Sequence, residues 1–417
     1  MRGVVKELDL DGLGVVVLER KKVHVPFTAP GDVVEVKRWR KKKKLLIATD
    51  FEVVEPSQVR VRPECPHFGI CGGCLLQHLP YGKQLEFKSR KLSKILGLDV
   101  EIIPSPVIYG HRNRIDVVIS TEGIGFRRRG SWWNVVDIEW CPVFGESSRR
   151  VLRSLREFIE DFGPSLYEIR KNEGFLRYIV IREGKFTGEL MVNLVTSEGS
   201  LPEEFPQYFD YATSIYWSVN RTLSDVSYGE IERFWGSEFI RERLDDVTYL
   251  IHPNSFFQTN SYGAVNLVKK VSELVEGERI LDLYSGVGTF GIHLAKRGFT
   301  VEGIEANPFA VEMARRNADL NNVEATFMVG EDRDVENLSK YDTVIVDPPR
   351  AGLHPKLIRK ILRDKPQSIV YVSCNPKTLR ENLEALSEGY EVEEVVGLDM
   401  FPHTPHVETV VKLKLKV

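Results

Sequence analysis

Long apolar segments are missing from this sequence. No run of apolar residues approaches the roughly 18 residues that a membrane-spanning helix requires. The first residues, MRGVVKELDLDG, have no apolar core of the kind that a secretory signal peptide carries. We therefore expect a cytoplasmic protein that does not enter a membrane.

Cysteine is also scarce, with five residues among 417. In a reducing compartment, an odd number argues against a disulfide framework and favours metal-binding or catalytic roles. Four of the five follow the spacing C-x5-C-x2-C with one distant member: Cys65, Cys71, Cys74 and Cys141. Four thiolates suit a zinc ion or a [4Fe–4S] cluster equally well on ligand chemistry alone. Three thiols within ten residues make unrelated surface cysteines a poor interpretation.

The sequence has little excess charge, since its net charge is −3, yet basic residues are clustered. Residues 37–44, KRWRKKKK, place seven basic side chains around Trp39, and HRNR (111–114) and RRR (127–129) add two further clusters. A single cluster is usually solvated surface, but three favour a polyanionic partner. Nucleic acid is the leading candidate, and we expect Trp39 to stack on a base.

Three patterns follow one another along the chain. Residues 1–57 contain short β-type runs separated by turn signals, which predicts a small antiparallel β-barrel. Residues 58–250 begin with a Pro-, Gly- and Cys-rich loop. They then mix helical and strand patterns, with a helix predicted at 147–162. Residues 251–417 alternate strands and helices, which predicts a Rossmann-like, mostly parallel α/β sheet. Its predicted strands are 279–284, 300–305, 325–329, 342–346, 368–373 and 408–416.

A glycine loop follows the first of these strands. Gly286, Gly288 and Gly291 fit the G-x-G-x-x-G pattern, which by itself is also compatible with NAD. Asp282 lies four residues before the first glycine, where it would repel a pyrophosphate but pair with an ammonium group. Glu305 ends the next strand, a suitable place for binding ribose hydroxyls. The two acids favour S-adenosylmethionine over NAD.

Two further strands end in residues that carry chemistry. Asp347 begins the turn Asp-Pro-Pro-Arg, in which the prolines stiffen the backbone at the ligand-binding edge of the sheet. Arg350 stands where amine methyltransferases of similar pattern have an aromatic residue, which weakens that alternative. Cys374 follows the next strand, and Asn375 is expected to cap the helix after it. A thiolate at a helix N-terminus is favoured by the helix dipole, so we interpret Cys374 as a nucleophile.

A nucleophile next to a methyl donor suits methylation of a pyrimidine at C5. Addition of a thiolate to C6 gives C5 the electron density that it needs to attack a sulfonium methyl group. A base must then remove the C5 proton. Glu408, at the start of the last strand with His403 and His406 nearby, is the candidate base.

The motifs resemble, in order, those of the RNA 5-methyluridine methyltransferases. They are FFQTN (256–260), LDLYSGVGTFG (281–291), DPPRAG (347–352), SCNP (373–376) and FPHTPHVE (401–408). The first 57 or so residues resemble the RNA-binding TRAM domain of many members, and CPHFGICGGC with the later WCPV resembles the family's iron–sulfur signature. The resemblance favours a structural [4Fe–4S] cluster over zinc.

The resemblance also implies roles for individual residues. Cys374 would be the nucleophile and Glu408 the base, while Gln258 would hydrogen-bond the uracil or the donor. Asp347 would bind the donor and lie close enough to contact the uracil. The other positions that match donor-binding positions of the family are Tyr284, Thr289, Glu305 and Asp332.

The expected partner is RNA, without an obligate protein partner. Members of the family act on large-subunit rRNA or on uridine 54 in the T-loop of tRNA, and the compact cluster-bearing type favours tRNA. Two other classes of function compete with this interpretation. One is a methyltransferase for an amine or for cytosine C5, but the second cysteine expected beside the proline motif of cytosine enzymes is missing near Pro348. The other is a non-catalytic RNA-binding protein, against which the intact Cys374, Asp347 and Glu408 argue.

Overall fold

The structure, a computed structural model, describes residues 1–416. The N-terminal part is a six-stranded sheet in the order β1-β5-β6-β4-β3-β2. Because β1 and β2 are consecutive in the chain but lie at opposite edges, the residues between them close the sheet into a barrel. Its strands are β1 (Arg2–Val4), β2 (Glu7–Leu8), β3 (Gly14–Leu18), β4 (Lys21–Val25), β5 (Val33–Lys42) and β6 (Leu45–Glu55). Alternating valines, including Val16, Val23 and Val34, fill its interior.

The cysteine-rich loop leads into helix α1 (Tyr81–Leu96) and strand β7 (Glu101–Ile103). Strand β7 does not join its neighbours in the sequence but pairs in parallel with residues 396–398, far along the chain. Helix α1 ends at Gly97, which adopts φ +73° and so terminates the helix in a left-handed conformation. The chain therefore contributes one helix and one strand to the C-terminal sheet before it builds the central part.

The central part is a seven-stranded sheet in the order β10-β9-β8-β11-β12-β13-β14. Helix α2 (Glu146–Phe162) packs on it with Val151, Leu155 and Phe158 and confirms the helix predicted at 147–162. A 3₁₀ helix (Phe205–Phe209) and the hairpin of the last two strands complete this part. The strands are β8 (Arg114–Ser120), β9 (Gly123–Arg127), β10 (Val135–Asp137), β11 (Leu176–Glu183), β12 (Leu190–Thr196), β13 (Ser214–Val219), β14 (Glu230–Gly236), β15 (Ile240–Leu244) and β16 (Val247–Ile251).

The C-terminal sheet has eight strands in the order β19-β18-β17-β20-β21-β23-β22-β7. Its strands are β17 (Arg279–Leu283), β18 (Thr300–Glu305), β19 (Thr326–Val329), β20 (Thr343–Val346), β21 (Ser368–Ser373), β22 (Tyr390–Leu398) and β23 (Glu408–Leu415). Its helices are α3 (Ser261–Leu274), α4 (Thr289–Ala295), α5 (Pro308–Leu320), α6 (Pro355–Asp364) and α7 (Pro376–Leu386), with a 3₁₀ helix at Asp332–Asp334.

The first five strands of that order are parallel, and β23 is antiparallel to both of its neighbours. All six predicted strands are present to within one residue at each end. Sequence reasoning missed β22, because Glu391, Glu393 and Glu394 mask its apolar positions. Within residues 1–416, no helix is both long and apolar enough to cross a bilayer.

Candidate active site

The candidate residues meet at one edge of the C-terminal sheet. Strands β17, β18, β20 and β21 are parallel, so Glu305, Asp347 and Cys374 follow or end strands at the same edge. Strand β23 runs the opposite way, which brings its first residue, Glu408, to this edge as well. Ser373 pairs with Thr409 across the ladder, so Cys374 and Glu408 occupy the next position of the register, side by side.

Cys374 lies at the corner between β21 and α7. The side chain of Asn375 accepts a hydrogen bond from the Lys377 amide at 3.3 Å, and Pro376 is the first helical residue, as predicted. The same Asn375 side chain donates to the Arg350 carbonyl at 2.9 Å. One residue thus caps the helix behind the thiol and ties the proline turn of Asp347 to it.

The pKa of Cys374 is shifted in the direction opposite to the prediction. Burial, followed by the charges of Glu408 and Asp347, raises the pKa of the thiol to about 11, and Arg350 opposes this. The expectation that the thiolate is the favoured form of Cys374 is therefore wrong for this site. The dipole acts through about half a unit charge, and desolvation together with the negative charge of the neighbouring carboxyl groups outweighs it. Sequence reasoning did not assign the opposing charge of Arg350, although this residue directly follows the Asp-Pro-Pro turn.

The two carboxyl groups next to the thiol also have raised pKa values. Burial raises the pKa of Asp347 to about 7. Burial and then the charge of Asp347 hold the pKa of Glu408 well above its ordinary value, and Glu408 is only 4% exposed. Ionising two neighbouring carboxyl groups in a desolvated site costs free energy, because their like charges repel and neither is well solvated. This edge of the sheet therefore holds exchangeable protons near neutral pH.

The glycine loop is organised by Glu305 and by backbone conformation. Glu305 accepts from the Gly286 amide at 3.1 Å and from the Asn307 amide at 2.9 Å, which ties the loop to the next strand. Gly288 adopts φ +84°, and a Cβ there would lie 2.7 Å from the Ile292 side chain, so that this position requires glycine. Tyr284, at φ 63°, donates its hydroxyl to Asp332.

Asp282 lies beneath the glycine loop and is fully buried. One carboxylate oxygen accepts from the Gly291 amide at 3.0 Å, while no polar group within residues 1–416 reaches the other. Burial raises the pKa of Asp282 to about 8. Thr289 begins α4 directly above, and its carbonyl accepts from the Tyr249 hydroxyl at 2.8 Å. The structure therefore shows Asp282 as a support of the loop, and its pairing with an ammonium group stays a prediction.

Gln258 lies in the loop between β16 and α3 and is 9% exposed. The backbone carbonyl of Gln258 accepts a hydrogen bond from the Asn113 side chain at 2.7 Å, which joins this loop to the central sheet. Asn260 caps α3 by accepting from the Gly263 amide at 2.9 Å. Within residues 1–416, no hydrogen bond joins the Gln258 side chain to Cys374 or Glu408. Its contact with uracil or donor therefore stays a prediction.

Helix α1 holds the segment that precedes Glu408, a feature that sequence reasoning missed. Lys88 and Asp399 form an ion pair whose side chains are both 0% exposed. Gln84 accepts from the His403 amide at 2.8 Å, and the Lys91 ammonium donates to the Pro405 carbonyl at 2.7 Å. Lys88 and Asp399 are 311 residues apart, so no local pattern reveals the pair.

His403 and His406 lie in this segment, and their pKa values are both lowered to about 4. Burial is the main cause of each shift, and nearby cationic side chains, among them Lys88, also lower both pKa values. His403 places one ring nitrogen 3.3 Å from the Gln84 amide, and its ring stacks at 4.4 Å on Tyr109. Both imidazoles are neutral near pH 7, and His403 contributes to the packing of the segment.

The remaining four cysteines line one cavity of about 450 Å³ and carry no disulfide. Burial and the neighbouring thiols raise the pKa of Cys74 to about 12 and that of Cys141 to about 12. The distant Cys141 is thus brought to the same place as Cys65 and Cys71. Within residues 1–416, however, no three His, Cys, Asp or Glu side chains are placed to hold a metal ion. The structure gathers the predicted ligands without showing a metal centre.

The sheet order, the glycine loop and the N-terminal barrel define an α/β S-adenosylmethionine-dependent methyltransferase fold with a TRAM domain. Residues 1–59 match the TRAM domain of tRNA (uracil(54)-C(5))-methyltransferase, and residues 234–416 match the tRNA (Uracil-5-)-methyltransferase family. The chain is 64% identical to the tRNA (uracil(54)-C(5))-methyltransferase of Pyrococcus horikoshii, over 99% of this chain and 100% of that protein. The chain belongs to this methyltransferase family.

Two further proteins extend the comparison. The crystal structure of the Pyrococcus abyssi tRNA (uracil-54, C5)-methyltransferase with S-adenosyl-L-homocysteine superposes with a TM-score of 0.92, at 60% identity over 99% of both chains. The 23S rRNA (uracil(747)-C(5))-methyltransferase of Pyrococcus horikoshii is 43% identical over 99% of both chains. The predicted family is confirmed, and similarity to the tRNA-type relative exceeds that to the rRNA-type relative.

Proposed function

We propose that this protein transfers the methyl group of S-adenosylmethionine to C5 of uridine 54 in tRNA. The position of Cys374 next to Glu408 and Asp347 carries the proposal for the chemistry. The difference between 64% identity to a tRNA-type relative and 43% identity to an rRNA-type relative supports the choice of substrate. The proposal includes a cytoplasmic location and action without an obligate protein partner.

The first step is activation of the thiol. Because the pKa of Cys374 is about 11, its proton must pass to an acceptor before the sulfur can attack. Asp347, with a pKa of about 7, is partly ionised near neutral pH and is the acceptor that we assign. A bound sulfonium donor adds positive charge to this edge, which lowers the raised pKa of the thiol.

The Cys374 thiolate then forms a bond to C6 of the uracil, and the electron pair of the C5–C6 double bond moves into the enolate. C5 takes the methyl group, and the sulfonium leaves as the neutral thioether S-adenosylhomocysteine. Glu408 accepts the C5 proton, the double bond re-forms, and the bond between C6 and the Cys374 sulfur breaks. Glu408 must be ionised at this point, so its own proton leaves to solvent before the C5 proton arrives; Asp347 returns its proton to the Cys374 sulfur when the bond to C6 breaks.

The decisive test uses two variants with unmodified tRNA and methyl-labelled donor. The Glu408→Gln protein can still form the bond between the Cys374 sulfur and C6 and transfer the methyl group, but it cannot remove the C5 proton. We therefore expect a covalent protein–tRNA complex that survives denaturing electrophoresis. Cys374→Ala should give neither complex nor 5-methyluridine, although it still binds the donor. A Cys374→Ala protein that methylates uridine would overturn the mechanism.

The substrate is tested separately by mapping 5-methyluridine by mass spectrometry. Wild-type protein is incubated with unmodified tRNA and with large-subunit rRNA. Modification of uridine 54 in tRNA supports the proposal. Modification of rRNA alone would leave the mechanism in place and overturn the substrate.

The donor site that we propose surrounds the glycine loop. Glu305 would bind the ribose hydroxyls, which its contact with the Gly286 amide of the loop supports, while Asp282 and Asp347 would bind the amino acid end of the donor. The remaining assigned positions are Gln258, Tyr284, Gly286, Gly288, Thr289 and Asp332. The domain division at 1–57, 58–250 and 251–417 also remains a proposal, in which α1 and β7 of the second range support the sheet of the third.

We also propose that Cys65, Cys71, Cys74 and Cys141 hold a [4Fe–4S] cluster. The four half-buried cysteines line one cavity, and burial together with the charges of neighbouring thiols raises the pKa values of Cys71, Cys74 and Cys141. Four thiolates are the ligand set that a [4Fe–4S] cluster uses, and the family resemblance favours the cluster over zinc. Bound there, the cluster would cross-link the loop to the central sheet without taking part in methyl transfer. Anaerobic purification should yield about four iron and four sulfide per chain, and Cys141→Ser should lose both.

A further inference from the structure

Trp132 is an exposed aromatic side chain that the proposed catalytic site does not use. It lies in the turn between β9 and β10 and is 65% exposed. Its neighbour Trp133 is covered, since the Arg170 guanidinium lies 3.3 Å from its ring centroid. Large aromatic side chains on a protein surface commonly mark a contact with a partner.

A second basic turn adjoins this one. The Arg40 guanidinium, near the end of β5 in the barrel, donates to the Gly130 carbonyl at 3.5 Å. The end of the β5–β6 hairpin, from residue 37 to the turn at 43–44, and the turn at residues 127–133 therefore form one surface, which we call the two-turn face. Trp39, the residue first expected to stack on RNA, is half-buried and packs against the core of the barrel. Trp132 is the tryptophan of this face whose ring lies open to solvent.

The charge of the two-turn face is largely uncompensated. Lys37 lies 3.7 Å from Glu52, and Arg127 pairs with Asp225 at 2.6 Å. Within residues 1–416, the other basic side chains of the face have no acidic oxygen within 4.0 Å, and they are exposed. They are Arg38, Arg40, Lys41, Lys42, Lys43, Lys44, Arg128 and Arg129. An exposed ring among free cations is suited to a nucleic acid, because cations bind phosphates and the ring stacks on a base.

The cysteine-rich loop fixes the conformation of this turn. The Gly72 amide donates to the Arg127 carbonyl at 2.9 Å, and the Arg129 amide donates to the Ile70 carbonyl at 3.1 Å. Cys71 and Arg128 form the antiparallel bridge between these two bonds. The turn is therefore attached to an ordered part of the protein before any partner binds, which reduces the entropy lost on binding.

We propose that the two-turn face binds the tRNA outside the catalytic site and that Trp132 stacks on one of its bases. The inference rests on the proposed function, because it takes tRNA as the substrate. Arg128 and the lysines of the barrel turn contact phosphates on either side of the stacked base. Trp132 is a binding residue for the substrate and takes no part in methyl transfer.

The test compares Trp132→Ala and Trp132→Phe with wild type in full-length protein. Loss of stacking should raise the Kd for unmodified tRNA about 5- to 100-fold in Trp132→Ala, while Trp132→Phe retains most of the affinity. The kcat at saturating tRNA and the affinity for S-adenosylmethionine should be unchanged. Phe234→Ala is the matched control, because Phe234 is 45% exposed on β14, at the opposite edge of the same sheet.

The outcomes separate this inference from the proposed function. If wild type neither binds nor methylates tRNA, the proposed function fails. If wild type methylates tRNA and Trp132→Ala has the same Kd and KM, the inference is overturned while the function stands. A change of oligomeric state in Trp132→Ala without a change in tRNA affinity would also overturn it, because the ring would then contact a second copy of the chain.

Discussion

The reactive thiol illustrates how the surroundings of one residue can reverse an expectation from local sequence. Cys374 has the helix N-terminus and the cap that favour a thiolate, yet burial and two acidic neighbours raise its pKa to about 11. A protonated thiol reacts more slowly with alkylating agents and oxidants than a thiolate does. The same carboxyl groups that suppress the thiolate accept protons during the proposed reaction.

This arrangement predicts the effect of neutralising Asp347. Since its charge raises the pKa of Cys374, Asp347→Asn should lower that pKa. Each unit of decrease makes alkylation by iodoacetamide about tenfold faster at pH 8. The rate is measured against pH for the free protein, with Asp319→Asn, an exposed position on α5, as control. An unchanged pH profile would contradict the assigned cause.

A second prediction concerns stability and pH at Asp282. Burial raises its pKa to about 8 in the folded protein, against an ordinary value of 3.8. The folded state therefore holds a proton that the unfolded state has released, and wild type loses stability as pH rises from about 4 to 8. Asp282→Asn keeps an acceptor for the Gly291 amide but has no charge to bury.

The stability of this variant relative to wild type should therefore increase by a few kcal/mol between pH 5 and pH 8. Urea unfolding at the two pH values measures the difference. If both proteins showed the same change in stability between pH 5 and pH 8, Asp282 would already be ionised in the folded protein over this range, which would contradict its raised pKa.

At the scale of elements, helix α1 fixes the position of the segment that precedes the proposed base, Glu408. Its buried Lys88–Asp399 pair and the bonds of Gln84 and Lys91 all reach the residues just before Glu408. A buried ion pair contributes little net stability compared with an apolar replacement, but loss of one partner leaves an unpaired buried charge. The pair therefore specifies where this segment lies more than it stabilises the fold.

Removal of one partner should accordingly be costly. We expect Lys88→Ala to lower the free energy of unfolding by about 3–5 kcal/mol and to reduce kcat, since Glu408 loses its support. The double variant Lys88→Met/Asp399→Leu should recover most of the stability. Lys83→Ala, on the same helix but in an exposed pair with Glu86, should change stability by less than about 0.5 kcal/mol. If Lys88→Ala and Lys83→Ala lowered the free energy of urea unfolding equally, this role of the Lys88–Asp399 pair would be contradicted.

At the scale of the whole molecule, the near-neutral net charge conceals a strongly basic region at the junction of barrel and central sheet. Counterion release predicts that log Kd for tRNA changes with log salt concentration by about 0.7–0.9 for each phosphate contact. Lys41→Ala/Lys42→Ala/Lys44→Ala should lower this slope by up to three such increments. Lys340→Ala, before β20 at the far end of the C-terminal sheet, should leave the slope unchanged. The slopes are measured between 50 and 300 mM salt, roughly the range in which such effects are large.

Much of the C-terminal part of the chain could be predicted from local sequence patterns. The six strands, the capping Asn375 and the grouping of Asp347, Cys374 and Glu408 follow from apolar runs that end in polar residues, since parallel strands place their carboxyl ends together. The four cysteines of the proposed cluster stand out in the sequence because three of them lie within ten residues of one another. Periodicity and spacing of this kind act over a few residues, so a single sequence contains them.

The remaining features depend on contacts between distant parts of the chain. Strand β7 pairs with β22, almost 300 residues away, and Lys88 meets Asp399 across 311 residues, so neither has a local signal. The pKa of Cys374 depends on burial and on charges from two other strands. Trp39 and Trp132 both stand in basic stretches, and only packing decides that the first lies against the barrel core while the second faces solvent. The sequence by itself determined the family and the candidate residues for the chemistry, and the tertiary structure decided their protonation, support and exposure, because those depend on neighbours that only folding brings together.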